Sequence, residues 1–160
     1  MTQDVQLVQY QPDQLEILKQ FKLPEEQNQF TVLPTEVIEE VSTGKFPIVI
    51  LHDKEPVGFF VLHSTERVKE YCENPNAMLL TSFSINHSKQ GKGFAKNGLS
   101  QLEAFITSEF PWCDEILLAV NHKNMAAQNL YKKVGFKDTG ARKEGPVGEQ
   151  YIMSLMFRKI

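Results

Sequence analysis

The sequence predicts a mixed α/β fold in which one central sheet carries helices on both faces. Three observations lead there. Apolar runs of strand length alternate with segments of helical period along the 160 residues. Two pairs of those runs are joined closely enough to form hairpins, which gives the sheet an antiparallel part. Another pair is separated by a whole amphipathic helix, the spacing of a crossover.

The elements run in order along the chain. A short strand is expected over residues 5–10. Pro12 and Asp13 then open a helix that runs to about Phe21, since proline is tolerated in a first turn. Residues 22–33 are polar and irregular, and a second helix from Thr35 to Val41 comes after Pro34 and stops at Gly44. The apolar runs 46–52 and 57–63 read as a hairpin closed by Asp53-Lys54-Glu55-Pro56. After a polar connection, residues 78–85 read as a buried strand, and a glycine-containing loop leads into a helix over 94–109. In that helix Ala95, Leu99, Leu102 and Ile106 make one apolar stripe. Gly98 within it costs about 1 kcal/mol against alanine and favours close packing on the sheet. A short buried strand over 115–120 comes next. A helix over 124–134 then places Ala127, Leu130, Tyr131 and Val134 on one face and ends at Gly135. Two last strands, 136–142 and 150–158, are linked by a loop holding Gly145, Pro146 and Gly148. With no repeat, linker or low-complexity tract, the chain is expected to be one domain over 1–160.

Composition narrows the function. Hydrophobic residues make up 41% of the chain and include eleven Phe, enough for a real core. Cys72 and Cys113 lie far apart without ligand spacing, so both are expected as ordinary reduced thiols. His52, His63, His87 and His122 form neither HExxH nor a pair at helical spacing, so no metal is expected. A net charge of −3 with dispersed lysines and arginines argues against a nucleic-acid partner. No run approaches the roughly 18 apolar residues of a membrane span. The start Met1-Thr2-Gln3-Asp4 lacks the pattern of a secretory signal. A cytoplasmic protein without membrane contact is therefore expected, with monomer and homodimer both open.

The chemistry concentrates in Gln90-Gly91-Lys92-Gly93-Phe94-Ala95, between a buried strand and an amphipathic helix. A helix start exposes unpaired N–H groups, and glycines let the backbone approach a phosphate closely. Strand, glycine loop and helix in this order make an anion site. No GxxxxGK[ST] string exists here. The dinucleotide pattern GxGxxG would use Gly91 and Gly93, but its third small position falls on Lys96. The pattern [QR]xxGx[GA] is matched by Gln90, Gly93 and Ala95. Further along, the stretch from Asn124 to Phe136 has the form NxxAxxLYxxxGF. With the helix and strand between them, these two signatures resemble the GNAT (GCN5-related) N-acetyltransferase family. The likeness is specific over 46–136, fair for the last two strands and loose before Gly44.

The resemblance implies the GNAT acyl-CoA N-acyltransferase fold, acetyl-CoA as co-substrate, and a small-molecule or peptide amine as acceptor. It implies that the strand before the loop splays from the next parallel strand. The backbone of Phe83, Ser84 and Ile85 would then take the pantetheine arm by strand addition, and a main-chain N–H would polarise the thioester carbonyl. The N–H groups of Gly91, Lys92, Gly93, Phe94 and Ala95 would hold the pyrophosphate, assisted by Gln90 and the charges of Lys92 and Lys96. Asn124 matches the asparagine that bonds the coenzyme arm, although a helix N-cap is an equally good role for it. Tyr131 matches the general acid that protonates the departing thiolate; read by spacing alone it is a core aromatic.

One departure from the family pattern stands out. Many relatives place a glutamate on the splayed strand as general base, yet residues 77–90 contain no Asp or Glu. His63, Glu73, His87 and Glu149 are the titratable alternatives, besides a water relay. Glu25, Glu26, Glu144 and Glu149, in segments where such folds choose substrate, favour a cationic acceptor. A CoA-binding sensor of the same fold and an unrelated nucleotide-binding α/β domain are the competing readings.

Overall fold

The computed structural model describes residues 5–27, 30–38 and 43–157. Seven strands make one sheet: β1 (Val5–Gln9), β2 (Lys45–His52), β3 (Glu55–His63), β4 (Ala77–Ile85), β5 (Glu115–Asn121), β6 (Lys137–Gly145) and β7 (Gly148–Met156). Their spatial order is β1-β2-β3-β4-β5-β7-β6. Only β4 and β5 run parallel; the other neighbours are antiparallel. The helices are α1 (Leu15–Leu18), α2 (Pro34–Ile38), α3 (Phe94–Leu99), α4 (Leu102–Glu109) and α5 (Met125–Lys133).

The period of two along a strand separates the two faces. Ile48 and Ile50 of β2, with Phe60 and Leu62 of β3, bury into the cluster that holds Leu99, Leu102, Ile106 and Tyr131. Their alternates Val49, Leu51, Phe59 and Val61 bury with Leu18 and Phe21, and with Val37 and Ile38 packed against them. So α3, α4 and α5 cover one face and α1 with α2 the other, which is the expected mixed sheet with helices on both sides. Gly98 lies against the sheet as its position predicts: a Cβ there would meet Ile50 side-chain carbons at 3.2 Å.

Four expectations change in detail. The 94–109 helix is two helices, because Ser100 turns its hydroxyl back to the Lys96 carbonyl at 2.7 Å and Gln101 donates to the Val5 carbonyl at 2.6 Å. The first hairpin closes on Asp53 and Lys54 alone, at φ 49° and 71°. Two successive positive φ values match the twist of the flanking strands. The last hairpin is likewise tighter than expected, with β6 and β7 paired as far as Gly145 and Gly148. The first helix is a 3-10 turn at Pro12–Gln14 followed by only four α-helical residues. The predicted end of the second helix beyond Ile38, and Arg158, lie outside the described residues. No helix among the described residues is long and apolar enough to cross a membrane.

Candidate functional site

The site begins where two parallel strands part. β4 and β5 pair only at Ala77↔Glu115, Met78↔Ile116 and Leu79↔Leu117. On its other edge β4 stays paired to β3, but with a bulge. Thr81 faces Val61 and Ser84 faces Phe59, so Ser82 and Phe83 together oppose Phe60. Ser82 takes φ 57°, a left-handed conformation that a non-glycine residue adopts at some cost. An extra residue bends its strand and re-aims the residues beyond it. The outcome is a cleft of about 570 Å³ between the diverging ends, a size that suits a small-molecule ligand.

Phe83, Ser84 and Ile85 form one wall, and Leu118 to Asn121 the other. The backbone of β4 beyond Leu79 has no strand partner on the β5 side. Two hydroxyls in the cleft walls, Ser84 Oγ and Thr31 Oγ1, are buried with no hydrogen-bond partner among the described residues. Buried polar atoms are rarely left so, and an amide-bearing ligand would satisfy both the hydroxyls and the strand edge.

At the far end of β4 the loop turns on Gly91 (φ 74°) and Gly93 (φ 83°), and Gly93 is the left-handed N-cap of α3. No backbone carbonyl among the described residues accepts from the N–H groups of Gly91, Gly93, Phe94 or Ala95. Since α3 has only six residues, these donors matter more than any helix dipole. Lys96 lines the cleft, whereas Lys92 is exposed and stands outside it. Lys89 lines it too and pairs with Glu55 at 3.6 Å. Gln90 has a job the sequence did not reveal. Its amide donates to the Ile85 carbonyl at 2.9 Å and exchanges two bonds with the Gln27 amide at 3.0 and 3.1 Å. It ties the loop to the strand end and to the segment before α2.

The third wall is α5. Asn124 is its N-cap, accepting from the Ala127 N–H at 3.2 Å, and it also lines the cleft, so the two roles foreseen for it are compatible. Tyr131 is buried at the cleft, edge-on to Phe83 with centroids 6.3 Å apart and tilted against Phe136 at 5.7 Å. Burial pushes its phenol well above the ordinary tyrosine range, so it is protonated at neutral pH. Gln128 escaped the sequence reading. Fully inside, it donates to the Asn121 and His122 carbonyls, both at 3.0 Å, while the Asn121 amide donates to the Val147 carbonyl at 3.1 Å. These bonds fix the end of β5, α5 and the β6–β7 turn as one wall.

The four candidates for a general base separate clearly. Neither Glu73, His87 nor Glu149 lines the cleft, and Glu149 lies 3.9 Å from the Arg142 guanidinium. His63 is buried on β3, its Nε2 2.6 Å from Thr81 Oγ1, and Thr81 lines the cleft. Burial, and then the charges of Arg67 and Lys45, lower the His63 pKa to about 4, so its imidazole is neutral at pH 7. No carboxylate or imidazole lines the cleft among the described residues. The segments 22–33 and 143–149 do border it, through Phe30, Thr31, Pro146 and Val147 among others. Glu25, Glu26, Glu144 and Glu149 take no part in that lining, so the acidic recognition expected of them has no support in the geometry.

Comparison with known proteins agrees with this architecture. The family model described as "Acetyltransferase (GNAT) family" matches residues 11–136. The chain is 48% identical over 156 residues to an uncharacterized N-acetyltransferase, YbbJ, of Bacillus subtilis (strain 168), covering 96% of this chain and 98% of that protein. Among solved structures, the aminoglycoside acetyltransferase AAC(6')-Ib in complex with coenzyme A superposes with a TM-score of 0.73 at 18% identity, covering 96% of this chain and 95% of the other. A Bacillus subtilis acetyltransferase in complex with CoA superposes with a TM-score of 0.65 at 14% identity, covering 97% and 100%. At such identities these two structures speak for the fold.

Proposed function

Because the chain belongs to the GNAT acetyltransferase family, we propose that it transfers the acetyl group of acetyl-CoA directly to a primary amine, with Tyr131 as the general acid, and that residues 1–160 act as one catalytic domain. The observation that carries this reading is the parting of β4 from β5 after three residue pairs, with Tyr131 at the cleft it opens. Bound acetyl-CoA supplies an activated acyl carbon. The remaining work falls to the chain.

The unpaired edge of Phe83, Ser84 and Ile85 receives the amide-bearing arm as a neighbouring strand would, and Ser84 Oγ gains a partner. The N–H groups of Gly91, Lys92, Gly93, Phe94 and Ala95 donate to the pyrophosphate, with Lys96 adding positive charge. Gln90 assists at the pyrophosphate from the cleft lining and also holds this loop in place. Asn124 caps α5 with its oxygen and offers its amide nitrogen to the arm. A main-chain N–H beyond the bulge polarises the carbonyl, and the bulge is what turns that stretch away from β5.

Tyr131 gives its phenolic proton to the departing sulfur. The burial that raises the phenol also strips water from the thiolate and raises its basicity, so donor and acceptor shift in the same direction. The proton lost by the attacking amine goes to water at the cleft mouth, since the lining offers no carboxylate among the described residues. The rate should therefore climb with pH through the acceptor's own pKa.

The test is thiol release from acetyl-CoA in the presence of an amine panel, together with calorimetric binding of acetyl-CoA. Amine-dependent release supports catalysis. Tight binding without release from any amine would favour the sensor reading instead.

A further inference from the structure

A second, smaller cavity of about 70 Å³ sits behind the bulge. Its walls include Lys45 of β2, His63 of β3, Arg67 of the 3-10 turn Glu66–Glu70, and Thr81 and Ser82 of β4. The last two also line the acyl cleft, so the cavity adjoins the point where the strands part. Resting on the acetyl-transfer reading above, we propose that this cavity is the acceptor's anion subsite, and that the acceptor is an amine with a carboxylate a few bonds away, such as a free amino acid.

Four features support it. Two cations, Lys45 and Arg67, converge there with the neutral imidazole of His63, and among the described residues no carboxylate forms an ion pair with Lys45 or Arg67. Lys45 is half-buried and Arg67 exposed, so both can turn their charge toward an anion entering the cavity from solvent, and a charge-assisted bond from either is stronger than a neutral one. His63 also carries a ring nitrogen, Nδ1, that is buried without a hydrogen-bond partner among the described residues, beside the pair Nε2–Thr81 Oγ1. The volume is several times the roughly 10–15 Å³ that one water requires, enough for a carboxylate group.

The fourth feature is the face of the sheet. Val61 and Val37, which also line the cavity, belong to or pack against the apolar cluster under α1 and α2. The phosphate loop caps α3, whose buried residues belong to the opposite cluster. The anion that this cavity receives is thus not one of the coenzyme's phosphates. An acceptor whose amine stands at Thr81 and Ser82, against the acyl group, would reach into the cavity with its next substituent. The local fields of Lys45 and Arg67 oppose a polycation there, which sets this chain's acceptor apart from the aminoglycosides named for its structural relatives.

The experiment compares three arms with purified protein: the common amino acids, their uncharged carboxamides, and a set of aminoglycosides, each read as amine-dependent thiol release. The expected result is a kcat/KM for at least one amino acid about tenfold or more above its own carboxamide, with aminoglycosides poorer still. Arg67→Gln and Lys45→Gln should each raise KM for that amino acid about tenfold, erase its advantage over the carboxamide, and leave acetyl-CoA affinity unchanged. Carboxamides or aminoglycosides that match or exceed the amino acids would overturn the subsite, as would an advantage that survives both substitutions. Acetyl-CoA that binds while no arm reacts would overturn it too. Acetyl-CoA that fails to bind would instead remove the transfer reading on which the subsite rests.

Discussion

The acid limb of stability should carry the signature of His63. Its side chain is 4% exposed, and its pKa falls from 6.5 to about 4 in the folded chain. Above pH 6.5 the imidazole is neutral in both states and contributes no slope. Between 6.5 and 4 the unfolded chain binds a proton that the folded chain refuses, so stability drops as pH falls. Each pH unit costs about 1.36 kcal/mol, which amounts to about 2 kcal/mol by pH 5 and about 3.4 kcal/mol when the window closes. That is a large share of a domain stability of about 5–15 kcal/mol. The perturbation is His63→Gln, which keeps an amide to meet Thr81 and removes the titration. Urea midpoints measured from pH 7 to pH 4.5 should show the parent losing about 2 kcal/mol more than the variant by pH 5. Asp138, whose carboxyl the Arg142 guanidinium holds low, adds acid sensitivity to both proteins and cancels in the comparison. Parallel stability curves for parent and variant would refute the buried, neutral His63. They would also weaken the case for Lys45 and Arg67 as charges concentrated on that cavity.

Other perturbations probe the cleft. A Cβ at Gly91 meets nothing within 4 Å, but φ is 74° there. Gly91→Val should therefore fold with a loss of about 1–2 kcal/mol, while acetyl-CoA affinity measured by calorimetry falls at least about tenfold as the side chain shields the loop N–H groups. Gln90→Ala should lower acetyl-CoA affinity about three- to tenfold, because the loop loses its ties to Ile85 and Gln27; thermal shift with and without acetyl-CoA reads this. Gln128→Leu should cost about 1–3 kcal/mol in denaturant unfolding, since two inner carbonyls lose their donor.

Much of this molecule was legible in the sequence where one local signal agreed with its surroundings. The strand pattern around Ile48, Phe60, Met78 and Ile116 gave the sheet, because full burial on two faces demands continuous apolar runs. Gly91, Gly93 and the stretch from Asn124 to Phe136 carried the candidate site, since backbone donors and a helix cap leave clear marks in residue type. What stayed hidden depends on contacts between distant residues. No local pattern announces that Ser82 will take φ 57° opposite Phe60, and that bulge is what opens the cleft. The tethering bonds of Gln90, which lines the cleft, were equally hidden, because its partner Gln27 lies 63 residues earlier. The helix break at Ser100 and Gln101 likewise needs the Val5 carbonyl, which only the folded β1 brings near. Lys45, His63 and Arg67 sit on three different elements, and the β2–β3 hairpin and the turn after it are what assemble them.

The central claim is that the cleft between β4 and β5 is an acetyl-transfer site in which Tyr131 protonates the leaving thiolate. The most direct measurement is kcat for Tyr131→Phe beside its acetyl-CoA Kd, with a solvent isotope or viscosity control showing that chemistry limits the rate. Phenylalanine keeps the packing against Phe83 and Phe136, so folding and Kd should stay near the parent values. Loss of a positioned general acid should lower kcat by about 10²–10⁴-fold, or about 3–5 kcal/mol of barrier. A kcat within about threefold of the parent, with Kd unchanged and chemistry limiting, would contradict the account and return Tyr131 to the role of a core aromatic.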